Sequence, residues 1–204
     1  MSATAFRRKL GRPDFDRMNL PEVYWRARIQ DVQEAAQVPL HKYLQSLHQM
    51  VRDGVGLCIH GEESRGKTTC AAVVAKEARS FGYTVYFSTV WEMREMIRAK
   101  LSFEDESSVL QRAREVDILI LDDLRPEDVD QGWFGRSEIE ALIADRAAHK
   151  KVTILTTRMS PVDMRQKLTA LTEILRGCMV FFPVKGRNLR ETRANEMRRS
   201  IFGD

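Results

Sequence analysis

An α/β fold with a parallel sheet is predicted for this chain of 204 residues, on three observations. Gly61 to Thr69, reading GEESRGKTT, fits G-x-x-x-x-G-K-[ST] at every specified position, between an apolar run of strand length, Val55–His60, and a helix-forming run, Thr69–Arg79. Ile118-Leu119-Ile120-Leu121 has the continuous apolar character of a strand buried on both faces, and Asp122-Asp123 closes it. Strand-like and helix-like segments alternate along the chain.

The elements follow in order. Residues 1–20 read as a loose basic arm, with Gly11, Pro13 and Asn19-Leu20-Pro21 as breakers, and residues 21–204 as one domain. Glu22–Gln30 and Leu40–Arg52 are expected as short helices with Pro39 as the break between them; Leu40, Leu44, Leu47 and Val51 form the stripe of the second. The helix after the glycine loop ends at Phe81-Gly82. Val85-Tyr86-Phe87 is a second strand, and Val90–Leu101 a helix whose inner face is Trp91, Met93, Ile97 and Leu101, with Arg94, Arg98 and Lys100 on its other sides. An acidic loop, Ser102–Ser108, leads to a short helix over Val109–Glu115 and then to the third strand. Arg125–Arg136, with Trp133-Phe134, shows no period; Ser137 then caps a helix running to His149. Val152–Thr156 is a fourth strand, Ser160-Pro161 opens a helix by the cap-then-proline rule, Thr169–Arg176 is helical, Met179–Phe182 is a fifth strand, and Asn188–Ile201 is a basic C-terminal helix.

The residue types of the loop specify its chemistry. Gly61 and Gly66 allow positive φ, so that backbone N–H groups across Glu62, Glu63, Ser64 and Arg65 can point into one concavity at the positive end of a helix. That is a cradle for a polyphosphate. Lys67 is placed for the β- and γ-phosphates, Thr68 for Mg²⁺, and Thr69 continues the cradle. At the C-terminal end of a parallel strand, where ligands of such sheets bind, Asp122 is positioned to hold Mg²⁺ and Asp123 to polarise an attacking water. Thr156, at the end of a further apolar run, would face the γ-phosphate between the two central strands. The expected ligands are therefore ATP and Mg²⁺, on a P-loop NTPase.

Composition bounds the rest. With 43% apolar and 30% charged residues the chain has the make-up of a globular domain with a charged surface. No run approaches a membrane span, and the N-terminus lacks a signal peptide's apolar core, so a cytoplasmic location is expected. Cys58, Cys70 and Cys178 have no metal-type spacing and read as buried thiols. The formal charge of +4 is gathered at the two ends, Arg7 to Arg17 and Lys185 to Arg199, a distribution suited to polyanions and equally to a solvated surface.

With these motifs placed, the chain from about Leu20 to Arg190 resembles the AAA+ ATPases of the DnaC/DnaI helicase-loader and IstB transposition-helper group. GEESRGKTTCA occupies the Walker A place and ILILDDL the Walker B place; TILTTR resembles the sensor-1 strand, with Thr156 and Thr157 at the sensor, and ILRGCMVFFPVKGRNLR resembles the arginine-finger region, final strand and terminal arginine, Arg190. The resemblance implies a five-stranded parallel sheet sandwiched by helices with little or no separate lid domain. It also implies ATP hydrolysis, a homo-oligomer with ATP at subunit interfaces, and as partners single-stranded DNA and a replicative helicase or a transposase. Arg176 is the first candidate for a trans-acting finger and Arg146 the second. The chain departs from the pattern at Glu62, Glu63 and Ser64, where Pro and a central Gly are usual, at Arg158, where Asn is frequent, and at Glu173-Ile174 in place of an Asp-Arg pair. Two other functions share the P-loop: a small-molecule phosphotransferase and a nucleotide-gated binding module without significant hydrolysis.

Overall fold

The structure is a computed structural model, and it describes residues 7–100, 107–125 and 136–203. Residues 102–106 of the expected acidic loop, the Trp133-Phe134 stretch and the side chains of Ile97, Arg98, Lys100 and Ser137 lie outside the described residues, while Ser107 and Ser108, expected in the loop, open a helix.

Five parallel strands form one sheet in the order β2-β3-β4-β1-β5: β1 Gly56–His60, β2 Val85–Thr89, β3 Ile118–Leu124, β4 Val152–Thr157 and β5 Met179–Pro183. The helices are α1 Arg12–Met18, α2 Glu34–Gln45, α3 Leu47–Asp53, α4 Lys67–Ser80, α5 Val90–Lys100, α6 Ser107–Glu115, α7 Arg136–Ala148, α8 Pro161–Lys167, α9 Thr169–Cys178 and α10 Leu189–Phe202. Successive side chains of a strand point to opposite faces, so each apolar strand feeds two cores. On one face Leu57, Ile59, Phe87, Ile118, Ile120 and Ile154 pack against α4, α2 and the N-terminal segment. On the other, Cys58, Tyr86, Leu119, Leu121 and Leu155 pack against α5 to α9.

Three local expectations are corrected. The described part of the arm is not loose. Met18 and Leu20 are core residues, the Asn19 amide donates to the Phe87 carbonyl at 2.9 Å, and the buried Asp14 carboxylate takes Arg8 and, at 3.2 Å, Arg79 of α4. The boundary expected between residues 20 and 21 therefore falls inside one packed unit. Pro39 does not break the chain: α2 runs through it, and the break comes at Ser46, because Ala36, Leu40 and Tyr43 are buried and their packing outweighs the lost backbone bond. On α5 the buried residues are Val90 and Met93, and Trp91 is 57% exposed. Among the described side chains of α5, Met93 is thus on the inner face as expected and Val90 takes the place expected of Trp91.

Arg146 was expected as a possible finger and is instead a core residue, 0% exposed. Its guanidinium donates to the carbonyls of Ala113 (2.7 Å), Arg114 (3.0 Å), Val116 (2.9 Å) and Val152 (2.6 Å) and to the Thr153 hydroxyl (3.1 Å). These acceptors are carbonyls of the last turn of α6 and of the residue that follows it, which have no helical partner of their own, together with the start of β4. Burial pulls its pKa down to about 10, still far above neutrality. A side chain spent in this way cannot reach a neighbouring subunit.

Candidate functional site

The site lies at the C-terminal edge of the sheet. β4 and β5 flank β1 on opposite sides, so connections diverge there and leave a crevice. A cavity of about 410 Å³ opens at this point, and Gly66, Lys67, Thr68, Thr69, Asp122, Asp123 and Thr156 face it.

The glycine loop takes the geometry its sequence requires. Gly61 has φ +147°, and a Cβ there would stand 2.3 Å from the Val184 carbonyl oxygen, so no other residue fits. Gly66 has φ +92° and is the N-cap of α4. Ser64 also takes positive φ, at +60°. Glu62 and Arg65 pair with each other across the loop. The Lys67 ammonium donates to the carbonyls of Gly61 (2.8 Å) and Glu62 (2.7 Å), which pulls the loop closed over its own cation. Burial, and secondarily the nearby Arg158, lower the Lys67 pKa. The ammonium is buried and its hydrogen-bond acceptors are two carbonyls, while the carboxylates of Asp123, Asp122 and Glu63 partly offset the fall; an anion in the cavity would give it a charged partner.

The two carboxylates depend on a bulge. In a regular strand, Asp122 and Asp123 would face opposite sides of the sheet. The register of β3 on β4 shifts between Leu121 and Leu124, and Asp123 adopts φ +60°. Both side chains consequently line the same cavity. Thr156, 1% exposed, holds the bulge: its hydroxyl accepts from the Asp123 backbone N–H at 2.8 Å and donates to Asp122 Oδ1 at 2.7 Å. The other Asp122 oxygen accepts from the Thr68 hydroxyl at 3.1 Å. Burial raises the Asp122 pKa, and the bonds from Thr156 and Thr68 oppose that rise. An oxygen pair of hydroxyl and carboxylate, buried beside the phosphate cradle, suits a hard divalent cation such as Mg²⁺.

An arginine layer covers the mouth. Arg158, just past β4, reaches Glu63 at 3.0 Å and Asp123 at 3.7 Å; Arg190, in the first turn of α10, reaches the other Glu63 oxygen at 3.1 Å; Arg125 reaches Asp123 at 2.7 Å. The Leu189 N–H donates to the Ser64 carbonyl at 2.8 Å, so the start of α10 is tied to the loop. Arg190, the terminal arginine of the resemblance, thus lines the cavity. Arg158, noticed in the sequence only as a departure, is a site residue, and its position directly after Thr156-Thr157 was the available signal. Val23 and Tyr24 also line the cavity, and nothing in their local sequence marks them. Arg176 lies outside it, half exposed on α9 beside Glu173 at 3.5 Å.

A phosphate cradle on β1, paired carboxylates on β3 and a polar residue on the strand between them define a P-loop protein of the AAA+ type, with ATP as its ligand. The chain belongs to the IstB-like ATP-binding protein family, whose model matches residues 26–175. Solved structures agree on the fold. The DnaC helicase loader superposes with a TM-score of 0.69 at 19% identity, covering 81% of this chain and 100% of that one. DnaI gives 0.66 at 21% identity, covering 84% and 94%. The replication initiator DnaA bound to AMPPCP and single-stranded DNA gives 0.67 at 18% identity, covering 89% of this chain and 56% of that one. No curated protein sequence matches the chain significantly. Among the described residues no helix is long and apolar enough to cross a membrane.

Proposed function

We propose that this chain is an ATP-hydrolysing, DNA-associated switch that works as a homo-oligomer, uses Mg²⁺, and acts on a replicative helicase or a transposase. The observation that carries the reading is the bulge in β3. Binding alone asks for the cradle and one metal ligand; a second carboxylate turned into the same cavity suits water activation.

Bound Mg·ATP supplies a terminal phosphoryl group open to in-line attack by an oxygen nucleophile. The roles of the chain's own residues follow from their placement. Lys67 exchanges its loop carbonyls for phosphate oxygens. Thr68 and Asp122 offer the oxygens that hold the metal. Asp123 orients a water and accepts its proton, and Thr156 fixes both carboxylates through one hydroxyl. Arg158 and Arg190 sit within reach of the cavity mouth and balance phosphate charge. Arg176, exposed and outside its own cavity, is suited to serve a neighbour's site, which would place ATP at the subunit interface.

The DNA part rests on the family, on the likeness to a DnaA that carries single-stranded DNA, and on the basic surface. Of the basic residues on α5, only the side chain of Arg94 is among the described ones, and it is poorly placed for the contact. The Arg94 side chain is only 22% exposed and sits 3.4 Å from Glu95.

Phosphate release with and without DNA tests the reading. Lys67→Ala should abolish ATP binding, and Asp123→Asn should keep it while slowing turnover by about 10²-fold or more. Mixing Arg176→Ala with Asp123→Asn should restore part of the turnover, because each subunit supplies what its neighbour lacks. A parent protein that binds ATP but releases no phosphate under any of these conditions would leave a nucleotide-gated binding module.

A further inference from the structure

The loop between β1 and α4 carries two neighbouring acids, and they serve different ends. Glu62 pairs with Arg65 inside the loop, its side chain 77% exposed and outside the cavity lining. Glu63 lines the cavity and ties together two segments far away in the chain. One of its carboxylate oxygens accepts from Arg158, just past β4, at 3.0 Å; the other accepts from Arg190 of α10 at 3.1 Å. Glu63 also adds its negative field to Lys67. One anion thus sits among the three cations that a bound phosphate chain would use, and guanidinium groups take a carboxylate and a phosphate by the same charge-assisted bonds.

The course of Arg158 decides which phosphate competes with Glu63. Its Nη1 bonds Glu63, and its Nε stands 3.7 Å from Asp123 Oδ1, while Arg125 holds the other Asp123 oxygen at 2.7 Å. The side chain therefore spans the gap from the loop to the carboxylate assigned to the attacking water. The loop N–H groups and Lys67 hold the inner phosphates, and the phosphoryl group under attack lies beyond them, toward Asp123. That is the gap Arg158 crosses. The terminal phosphate of ATP would enter it, and the shorter chain of ADP would stop before it.

The contacts are also open to exchange. The Glu63 side chain is 51% exposed, and those of Arg158 and Arg190 are 34% and 79% exposed. Pairs so exposed are weak and reform readily, so a multiply charged phosphate can take the arginines from a single carboxylate.

We propose that Glu63 is an internal stand-in for the terminal phosphate: it occupies Arg158 and Arg190 while the site is empty or holds ADP, and ATP displaces it. Glu63 is thereby a specificity-determining residue, because it lowers the affinity for ATP and leaves that for ADP alone. The proposal rests on the ATPase reading and deepens it at the same site.

Calorimetric titration of the full chain with Mg²⁺ and either ADP or the non-hydrolysable AMPPCP tests this. Glu63→Gln should tighten AMPPCP about fivefold, the effect of losing one partly exposed pair, and leave ADP within about twofold. Glu191→Gln is an equal change of charge on an exposed residue next to Arg190 and outside the cavity lining. It calibrates the general field and should leave the ratio of the two affinities in place. In an Arg158→Ala/Arg190→Ala background, Glu63→Gln should no longer move that ratio. Unchanged melting confirms that the variants fold. A ratio that Glu63→Gln moves no more than Glu191→Gln does overturns the stand-in and leaves the ATPase reading standing. Weaker AMPPCP binding by Glu63→Gln overturns it as well and makes Glu63 a support for the arginines. A change of ratio that persists without both arginines overturns their part in it and assigns the effect to Glu63 acting on Lys67. A parent that binds neither nucleotide overturns the stand-in and the ATPase reading together.

Discussion

Thr156 is the residue on which the candidate site turns, and Thr156→Val tests it with almost no change of shape. The hydroxyl is buried and makes two bonds, accepting from Asp123 N–H at 2.8 Å and donating to Asp122 Oδ1 at 2.7 Å. Valine leaves a buried backbone donor and one carboxylate oxygen without partners. Each unsatisfied group costs about 1–3 kcal/mol, the carboxylate toward the upper end. Thr68 still holds the other Asp122 oxygen, so the net loss should be about 3 kcal/mol. For a domain of this size that corresponds to a fall in melting temperature of roughly 6–12 °C. Asp123 also loses the bond that fixes it at φ +60°, so turnover should fall more than ATP affinity, for which Lys67 and Thr68 are the proposed holders. Thermal melting and steady-state phosphate release read both effects, with Thr156→Ser as the companion that keeps the hydroxyl. If valine melts within about 2 °C of the parent, or serine is as damaging as valine, the reasoning is wrong.

Arg146→Met should destabilise by about 3 kcal/mol or more, because several buried carbonyls lose their donor at once, and mixing it with Asp123→Asn should restore no turnover; restoration would return Arg146 to the list of fingers. Asp14 gives a pH prediction. The guanidinium of Arg8 holds its carboxyl at about 2 in the folded chain, against an ordinary value of 3.8. Its depressed pKa means that the charged form stabilises the fold above about 4, and that this contribution disappears as pH falls toward about 2. Asp14→Asn should therefore melt lower than the parent at neutral pH, with the gap closing across that acid window; a gap constant down to pH 2 would contradict the linkage. Glu63→Gln removes a negative charge from the mouth of the cavity while breaking only partly exposed ion pairs to Arg158 and Arg190. Melting should move by no more than about 2–4 °C, since such pairs contribute at most ~1 kcal/mol, and titration with a fluorescent ATP analogue should show affinity rising several-fold. Weaker binding would mean that Glu63 positions the arginines for the nucleotide.

The sequence by itself determined the class of fold and most of the cradle. Five apolar runs alternating with helical stretches admit few topologies other than a covered parallel sheet, and the glycines at 61 and 66 mark the loop because only glycine tolerates that backbone so close to Val184 and Leu189. Lys67, Thr68 and the acidic pair are local chemistry at fixed spacing, legible without coordinates. What only the tertiary structure decided depends on contacts between distant segments. The strand order placed β4, and so Thr156, between the loop and the carboxylates. The bulge against β4 turned Asp123 to the same side as Asp122, which the alternation of a regular strand forbids. Arg146 read as a candidate finger until three segments converged their carbonyls on it. The N-terminal segment looked like a solvated basic arm because its cations are plain in the sequence, whereas the fit of Met18 and Leu20 into the core exists only once α4 and β2 are in place. Periodicity and motif spacing carry the local chemistry, but the partner of a buried polar group is fixed by packing, and packing is not periodic.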